Sequence, residues 1–151
     1  MKIILLRHEE RNILNPSYFT PLTENGIKNS VFLVDKLKKY KIHKIYCSPF
    51  LRTIQTIYPY AIHINKKIRL DYGLYEYIHN PFFLFDFQWF HNISEIDDQE
   101  LKNICHSKYQ SIIQKDDFQY LENENSLTQR ITKFIESLKI KHKKPQPSVI
   151  G

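Results

Sequence analysis

The chain contains few cysteines and no long hydrophobic run. These two absences argue against a disulfide-stabilised protein and against a membrane-spanning one. Its 151 residues include only 2 cysteines, Cys47 and Cys105, which are too few for a disulfide framework and are not spaced as a redox or metal pair. Nowhere do about eighteen apolar residues follow one another, and the apolar run at residues 2–6 is too short for a signal-peptide core. We therefore expect a cytoplasmic protein with reduced thiols and no membrane segment.

Glycine is also scarce, with 3 residues, whereas Ile, Lys, Asn and Tyr are abundant. This usage is typical of an AT-rich genome. Histidines are more frequent, but apart from His8 they show no pair at metal-binding spacing on one element. These histidines are His43, His63, His79, His91, His106 and His142. We expect no metal site and no cofactor.

Acidic residues are outnumbered, since 22 Lys and Arg face 16 Asp and Glu, for a formal net charge of +6. Charge alone would fit a nucleic acid, a membrane surface or an anionic substrate. The densest basic stretch, residues 139–144, lies at the end of a predicted helix, where cations interact favourably with the helix dipole. We therefore do not expect a nucleic-acid partner.

The sequence contains alternating strand and helix patterns typical of one globular domain, residues 1–151. Residues 2–6 and 44–47 predict buried strands, and Ala61 to Ile64 predicts a third. Thr23 is suited to cap a helix, and Ser48-Pro49 to open a second helix that Pro59 ends. The apolar face predicted for the first helix is Ile27, Val31, Val34 and Leu37.

The second half of the chain is less regular. A turn is predicted at residues 71–73, and residues 77–120 predict an aromatic and helical insertion that covers the site, with helix over 94–114. A late helix over 126–141 has an apolar face of Leu127, Ile131, Phe134, Ile135 and Leu138. This order predicts an α/β three-layer sandwich with a mainly parallel sheet. Ligands bind beyond the carboxyl ends of such strands.

Four motifs stand at these strand and helix junctions. They are Leu6-Arg7-His8-Glu9, Leu22-Thr23-Glu24-Asn25-Gly26, Ser48-Pro49-Phe50-Leu51-Arg52 with Thr56, and Glu124-Asn125-Ser126 with Arg130. Together they resemble the histidine phosphatase superfamily, also called phosphoglycerate-mutase-like, over residues 2–141. Each motif alone is weak, but four in order are specific.

The resemblance implies phosphomonoester hydrolysis through a phosphohistidine on His8. Arg7, Arg52 and Arg11 would bind the phosphoryl oxygens, helped by backbone donors at the helix that opens near Pro49. Glu76, if its neighbours keep it protonated, would donate a proton to the leaving alkoxide. The substrate would be a phosphorylated small molecule or a phosphoprotein.

Two related chemistries fit less well. Cysteine phosphatases need five residues between cysteine and arginine around a phosphate cradle, whereas four residues and no glycine separate Cys47 from Arg52. A phosphoglycerate mutase is disfavoured because Arg11 and Leu14 occupy positions where that branch has Ser and Asn.

Two departures from the family pattern motivate an alternative. Glu9 replaces a small residue beside His8, and the family's second catalytic histidine, which ends a strand after the late helix, is not present by residue 151. We expect a domain that is C-terminally incomplete before its last core strand or strands, with exposed sheet edge that favours a homodimer. The alternative function is a catalytically inactive phosphate-binding or protein-interaction module.

Overall fold

The computed structural model describes residues 1–14, 17–77, 79, 96–119, 121–142 and 148–150. Within them the strands are β1 (Ile3–Leu5), β2 (Lys44–Cys47), β3 (Ile68–Leu70) and β4 (Ser148–Ile150). The α-helices are α1 (Glu24–Leu37), α2 (Leu51–His63), α3 (Gln99–Ile104) and α4 (Glu124–Lys141), with short 3₁₀ turns at Tyr72–Leu74 and Lys115–Asp117.

The described strands form one parallel sheet in the order β1-β4-β2-β3. β4 lies between β1 and β2, so that Val149 pairs with Ile4 on one side and with Ile45 on the other. The carboxyl ends of parallel strands share one edge of a sheet. The loops after β1, β2 and β3 therefore meet there, and the predicted α/β fold with a parallel sheet is confirmed.

Side chains of β2 alternate between two cores, one on each face of the sheet. Ile45 and Cys47 join a cluster built with α1, α2 and α3. Tyr46 points to the opposite face and packs against Phe134 and Leu138 of α4. Because helices cover both faces of this strand, Ile45, Tyr46 and Cys47 are all buried, and only Lys44 at its start is charged.

β1 differs from the prediction of a strand buried on both faces. The strand forms, but Leu5 is 76% exposed. Among the described residues β1 is at the edge of the sheet and pairs with β4 alone. A residue on an edge strand has a neighbouring strand on one side only, which leaves more of its side chain exposed.

Helix α1 confirms the predicted cap, since the Thr23 hydroxyl accepts a hydrogen bond from the Gly26 amide at 3.0 Å. Its predicted apolar face is partly wrong, because Ile27 and Val31 are exposed while Leu33 and Leu37 are buried. The buried side also contains Gly26 and Ser30. Glycine is required at position 26 because a Cβ there would lie 2.2 Å from the Glu10 carbonyl oxygen.

Helix α2 corrects three predictions. It continues through Pro59 to His63, so the strand predicted at residues 61–64 is its last turn. Ile57, Tyr60 and Ala61 on both sides of the proline are buried, and this packing offsets the missing amide donor. The helix begins at Leu51 without a side-chain cap, so Ser48 does not cap it.

Of the predicted insertion at residues 77–120, residues 78, 80–95 and 120 lie outside the described residues. Of the helix predicted over 94–114, the described part, residues 96–114, is helical only over Gln99–Ile104, since Cys105 forms a parallel bridge to Ile68. The late helix is confirmed as α4, although Ile131 is 44% exposed and Arg130 is buried beside Phe134 and Leu138.

Candidate active site

The candidate site is built by the loops that follow β1, β2 and β3. Arg7 and His8 follow β1, Arg52 lies in the first turn of α2 after β2, and Glu76 follows the 3₁₀ turn after β3. The Asp71 amide donates to the Cys47 carbonyl at 2.8 Å, which extends the pairing of β2 and β3 by one residue. The last two loops therefore leave the sheet side by side.

His8 is half-buried and is held in one tautomer by the backbone. Its Nδ1 lies 2.7 Å from the carbonyl oxygen of Glu9. A carbonyl oxygen can only accept, so Nδ1 carries the hydrogen and the neutral ring keeps its lone pair on Nε2. An unprotonated Nε2 is the form of imidazole that attacks phosphorus.

The surroundings of His8 favour its neutral form. Burial lowers the pKa of His8 below 6.5, the hydrogen bond to the Glu9 carbonyl opposes this, and the positive charges of Arg52, Arg11 and Arg7 lower it further. Three guanidinium groups are therefore close enough to act on this ring. Positive surroundings that keep a histidine neutral suit an anionic phosphate ester.

We expect the imidazole of His8 to titrate below 6.5, its ordinary pKa. NMR of the ring protons over a pH series gives the midpoint directly. Arg52→Gln removes one positive charge and should move the midpoint upward, yet it should stay below 6.5 because burial is the largest cause. A wild-type midpoint at or above that value would contradict the proposed environment.

Arg52 is the most buried cation of the site, with 4% of its side chain exposed. Its Nη2 donates to Glu76 Oε2 at 2.6 Å, and its Nη1 donates to the Ser17 carbonyl at 3.1 Å. The guanidinium lies over the Phe50 ring, with its central carbon 4.2 Å from the ring centroid. Its buried Nε has no hydrogen-bond partner among the described residues.

Glu76 closes the other side of the guanidinium. Its side chain is 52% exposed, so the carboxylate lies at the mouth of the site. The structure thus brings Arg52 and Glu76 into direct contact. The positive charge of Arg52 lowers the pKa of His8, and no hydrogen bond joins His8 directly to Arg52 or Glu76 among the described atoms.

Arg7 and Arg11 are less constrained than Arg52. Arg7 is exposed, and Arg11 donates through Nη1 to the carbonyl of its neighbour Asn12 at 3.0 Å. Both charges act on His8. Neither side chain forms an ion pair with Glu9 among the described residues.

Two helices hold the loop that carries His8. The Glu9 amide donates to Thr56 Oγ1 of α2 at 3.0 Å, and Glu10 accepts from Thr23 Oγ1 at 2.7 Å. The sequence interpretation gave Thr56 no role in the site beyond a polar helix position. Its spacing from Arg52, one helical turn, places both on one face and is the signal that could have identified it.

One backbone donor at the start of α2 is already occupied, because the Leu51 amide donates to the Tyr18 carbonyl at 2.9 Å. The contribution of other backbone donors at this helix to phosphate binding stays a prediction. The segment containing Ser17 and Tyr18 is thereby fixed to the start of α2. Nothing in the sequence pattern pointed to this contact, because these residues contribute only carbonyl groups to it.

The arginine of the late motif contacts a residue that precedes this motif. Arg130 forms a buried ion pair with Glu122, at 2.5 Å between Nε and Oε1. Glu124 occupies the first turn of α4, where a negative charge interacts favourably with the helix dipole.

Two general properties complete the description of the described residues. Among the helices they form, none is both long enough and apolar enough to cross a membrane. No group of three or more His, Cys, Asp or Glu side chains in the same residues is arranged to hold a metal ion.

Comparison with known proteins identifies related families and folds. The model of the histidine phosphatase superfamily (branch 1) matches residues 3–150, which confirms the resemblance drawn from the four motifs. No curated protein sequence matches significantly.

Solved structures show a similar fold. The ecdysone phosphate phosphatase of Bombix mori, in complex with tungstate, is 18% identical with a TM-score of 0.75, over 98% of this chain and 71% of that chain. At this identity the likeness shows a shared fold. The protein histidine phosphatase SixA complexed with tungstate is 16% identical with a TM-score of 0.48, over 100% of this chain and 69% of that chain, a likeness too weak to carry an argument.

Proposed function

This chain belongs to the histidine phosphatase superfamily (branch 1), and from that membership we propose that it hydrolyses phosphomonoesters through a phosphohistidine formed on His8. The observation that carries the proposal is the state of His8. Its Nδ1 is held by the Glu9 carbonyl at 2.7 Å, and three arginine charges act on the ring. An oriented neutral nucleophile among guanidinium groups suits phosphoryl transfer.

In the first half-reaction, Nε2 of His8 attacks phosphorus and the bond from phosphorus to the leaving oxygen breaks. Arg7, Arg11 and Arg52 bind the remaining phosphoryl oxygens, where charge accumulates in the transition state. Glu76 gives its proton to the leaving alkoxide, so that an alcohol departs. The products are the alcohol and a phosphohistidine.

In the second half-reaction, water attacks the phosphohistidine and gives its proton to the Glu76 carboxylate. The bond between phosphorus and nitrogen breaks, which releases inorganic phosphate and restores neutral His8 and protonated Glu76. Substrate binding prepares this cycle, because a phosphate that takes the place of Glu76 at Arg52 leaves the carboxyl beside negative oxygens.

The covalent step can be trapped. We expect enzyme mixed with a ³²P-labelled aryl phosphate and quenched in alkali to retain label that acid then removes, as a phosphoramidate does, and peptide mapping to place the label on His8. Turnover without any labelled enzyme would refute the covalent route. Absence of turnover with every phosphomonoester supplied would refute the hydrolytic function itself.

The second candidate is a non-catalytic phosphate-binding or interaction module. It is favoured by one observation, namely that Glu76 already occupies Arg52 at 2.6 Å while a second carboxylate, Glu9, follows His8. This candidate predicts saturable binding of phosphate or vanadate without turnover. Clear turnover that disappears in His8→Ala would exclude it.

The substrate class we propose is a phosphorylated small molecule or a phosphoprotein. The cytoplasmic location, the homodimer and the insertion that covers the site stay predictions from the sequence.

A further inference from the structure

We infer that the buried pair of Glu122 and Arg130 positions the Glu76 acid by holding the backbone turn that precedes it. The inference rests on the proposed function, in which Glu76 protonates the leaving group. Neither residue of the pair touches substrate in this view. They act through the carbonyl groups of Tyr72, Gly73 and Tyr75.

The pair is fully enclosed and makes two parallel hydrogen bonds. Arg130 donates from Nε to Glu122 Oε1 at 2.5 Å and from Nη2 to Oε2 at 2.7 Å. Both side chains are 1% exposed. This bidentate geometry fixes the plane of the guanidinium and therefore the direction of its remaining nitrogen.

The remaining nitrogen, Nη1, points at the turn before Glu76. It donates to the carbonyls of Gly73 at 3.0 Å and Tyr75 at 3.1 Å, with Tyr72 at 3.4 Å. Three carbonyl oxygens of one turn thus converge on one donor group. Because Glu76 follows Tyr75 directly, the same contacts set the position from which its side chain starts.

The turn is also pressed against α4, the helix that carries Arg130. A Cβ added at Gly73 would lie 2.6 Å from the Phe134 ring, so glycine is required for this approach. On the other side, Asp71 Oδ1 accepts from the Gly73 amide at 2.8 Å. The turn is therefore held at its start by Asp71 and at its end by Arg130.

Positioning explains this pair better than stability does. Burying two charges has a large desolvation cost, and apolar side chains of similar size often stabilise a core as well or better. An apolar side chain cannot donate to three carbonyl oxygens. The chain also accepts a left-handed backbone at Leu121, with φ of 53°, immediately before Glu122, a conformation that non-glycine residues rarely adopt.

The test compares two substrates that differ in their need for an acid. A p-nitrophenolate leaves without a proton, whereas the alkoxide of glycerol 2-phosphate needs one. Because general acids contribute about 10²–10⁴-fold, we expect Arg130→Lys, which keeps the charge but loses the fork, to lower kcat/KM for glycerol 2-phosphate at least ~10-fold more than for p-nitrophenyl phosphate. Glu76→Gln should show the same selective loss and serves as the reference.

Further variants separate positioning from simple destabilisation. Glu122→Gln keeps the shape of the side chain and removes its charge. It should also lower kcat/KM more for glycerol 2-phosphate than for p-nitrophenyl phosphate. This variant provides the test if Arg130→Lys does not fold. Lys139→Gln removes an exposed ion pair with Glu136 on the same helix and should leave both activities unchanged.

The outcomes distinguish this inference from the proposed function. If the variants lose activity on both substrates equally, the pair is structural and the inference fails while the proposed function stands. If the wild-type protein shows no His8-dependent turnover, the proposed function fails and the inference fails with it.

Discussion

Replacing His8 with alanine is expected to lower kcat for phosphomonoester hydrolysis by at least ~10³-fold, since loss of a covalent nucleophile removes the reaction path rather than one contact. The change should leave binding of phosphate or vanadate largely intact, because the guanidinium groups of Arg7, Arg11 and Arg52 remain. Steady-state kinetics with p-nitrophenyl phosphate and a competition assay with vanadate measure the two effects separately.

Controls for His8→Ala must show that the protein folds and that the loss is specific. His63 is exposed at the end of α2, so His63→Ala should retain wild-type turnover. Thermal unfolding should give similar midpoints for both variants, because His8 is only half-buried. Unchanged turnover in a folded His8→Ala protein would contradict the assignment of the nucleophile.

The helices were predictable where local chemistry decides. Thr23 caps α1 through the Gly26 amide, and the late helix forms with Asn123 and Ser126 as a reciprocal capping box. Such contacts lie within one helical turn and are visible in the sequence. The face that each helix buries was harder to predict, because apolar residues cover a wide arc and tertiary packing selects part of it.

The error in α2 has the same origin. Pro59 and the apolar run after it indicate a helix stop and a strand when they are considered alone, since short apolar runs do not distinguish strand from helix. In the structure, Tyr60 and Ala61 are buried in the core shared with α1. Long-range packing therefore overrides the local signal.

The site could be predicted as a set of loops, because parallel strands end at one edge. The arginine and histidine side chains follow from motifs at those ends. The contacts that hold these side chains could not be predicted. The Ser17 carbonyl bound by Arg52 and the turn bound by Arg130 are both far from the arginine in sequence. Glu122 and Arg130 are only eight residues apart, yet the carbonyl groups to which Arg130 donates lie more than fifty residues before it.

Among the arginine and histidine variants proposed for the site, Arg52→Lys is expected to have the largest effect on phosphomonoester hydrolysis after His8→Ala. A hydrogen bond to a charged group contributes about 1.5–3 kcal/mol, which corresponds to roughly 10- to 150-fold in kcat/KM. Lysine keeps the positive charge but cannot donate in the fixed planar pattern with which Arg52 contacts both Glu76 and Ser17. Kinetics with p-nitrophenyl phosphate measure the loss.

The exposure of each arginine predicts a ranking that tests the electrostatic argument more sharply than one variant can. Arg52 is 4% exposed and acts where water screens little, whereas the Arg11 residue is only partly buried and its guanidinium donates to the carbonyl of Asn12. Arg11→Lys should therefore cost less than about 5-fold, because charges that water can screen contribute little. Arg69→Lys, which alters a cation packed over Tyr46 on β2, should leave turnover unchanged. If Arg11→Lys lowered turnover as much as Arg52→Lys does, the buried, bidentate contacts of Arg52 would not explain its contribution.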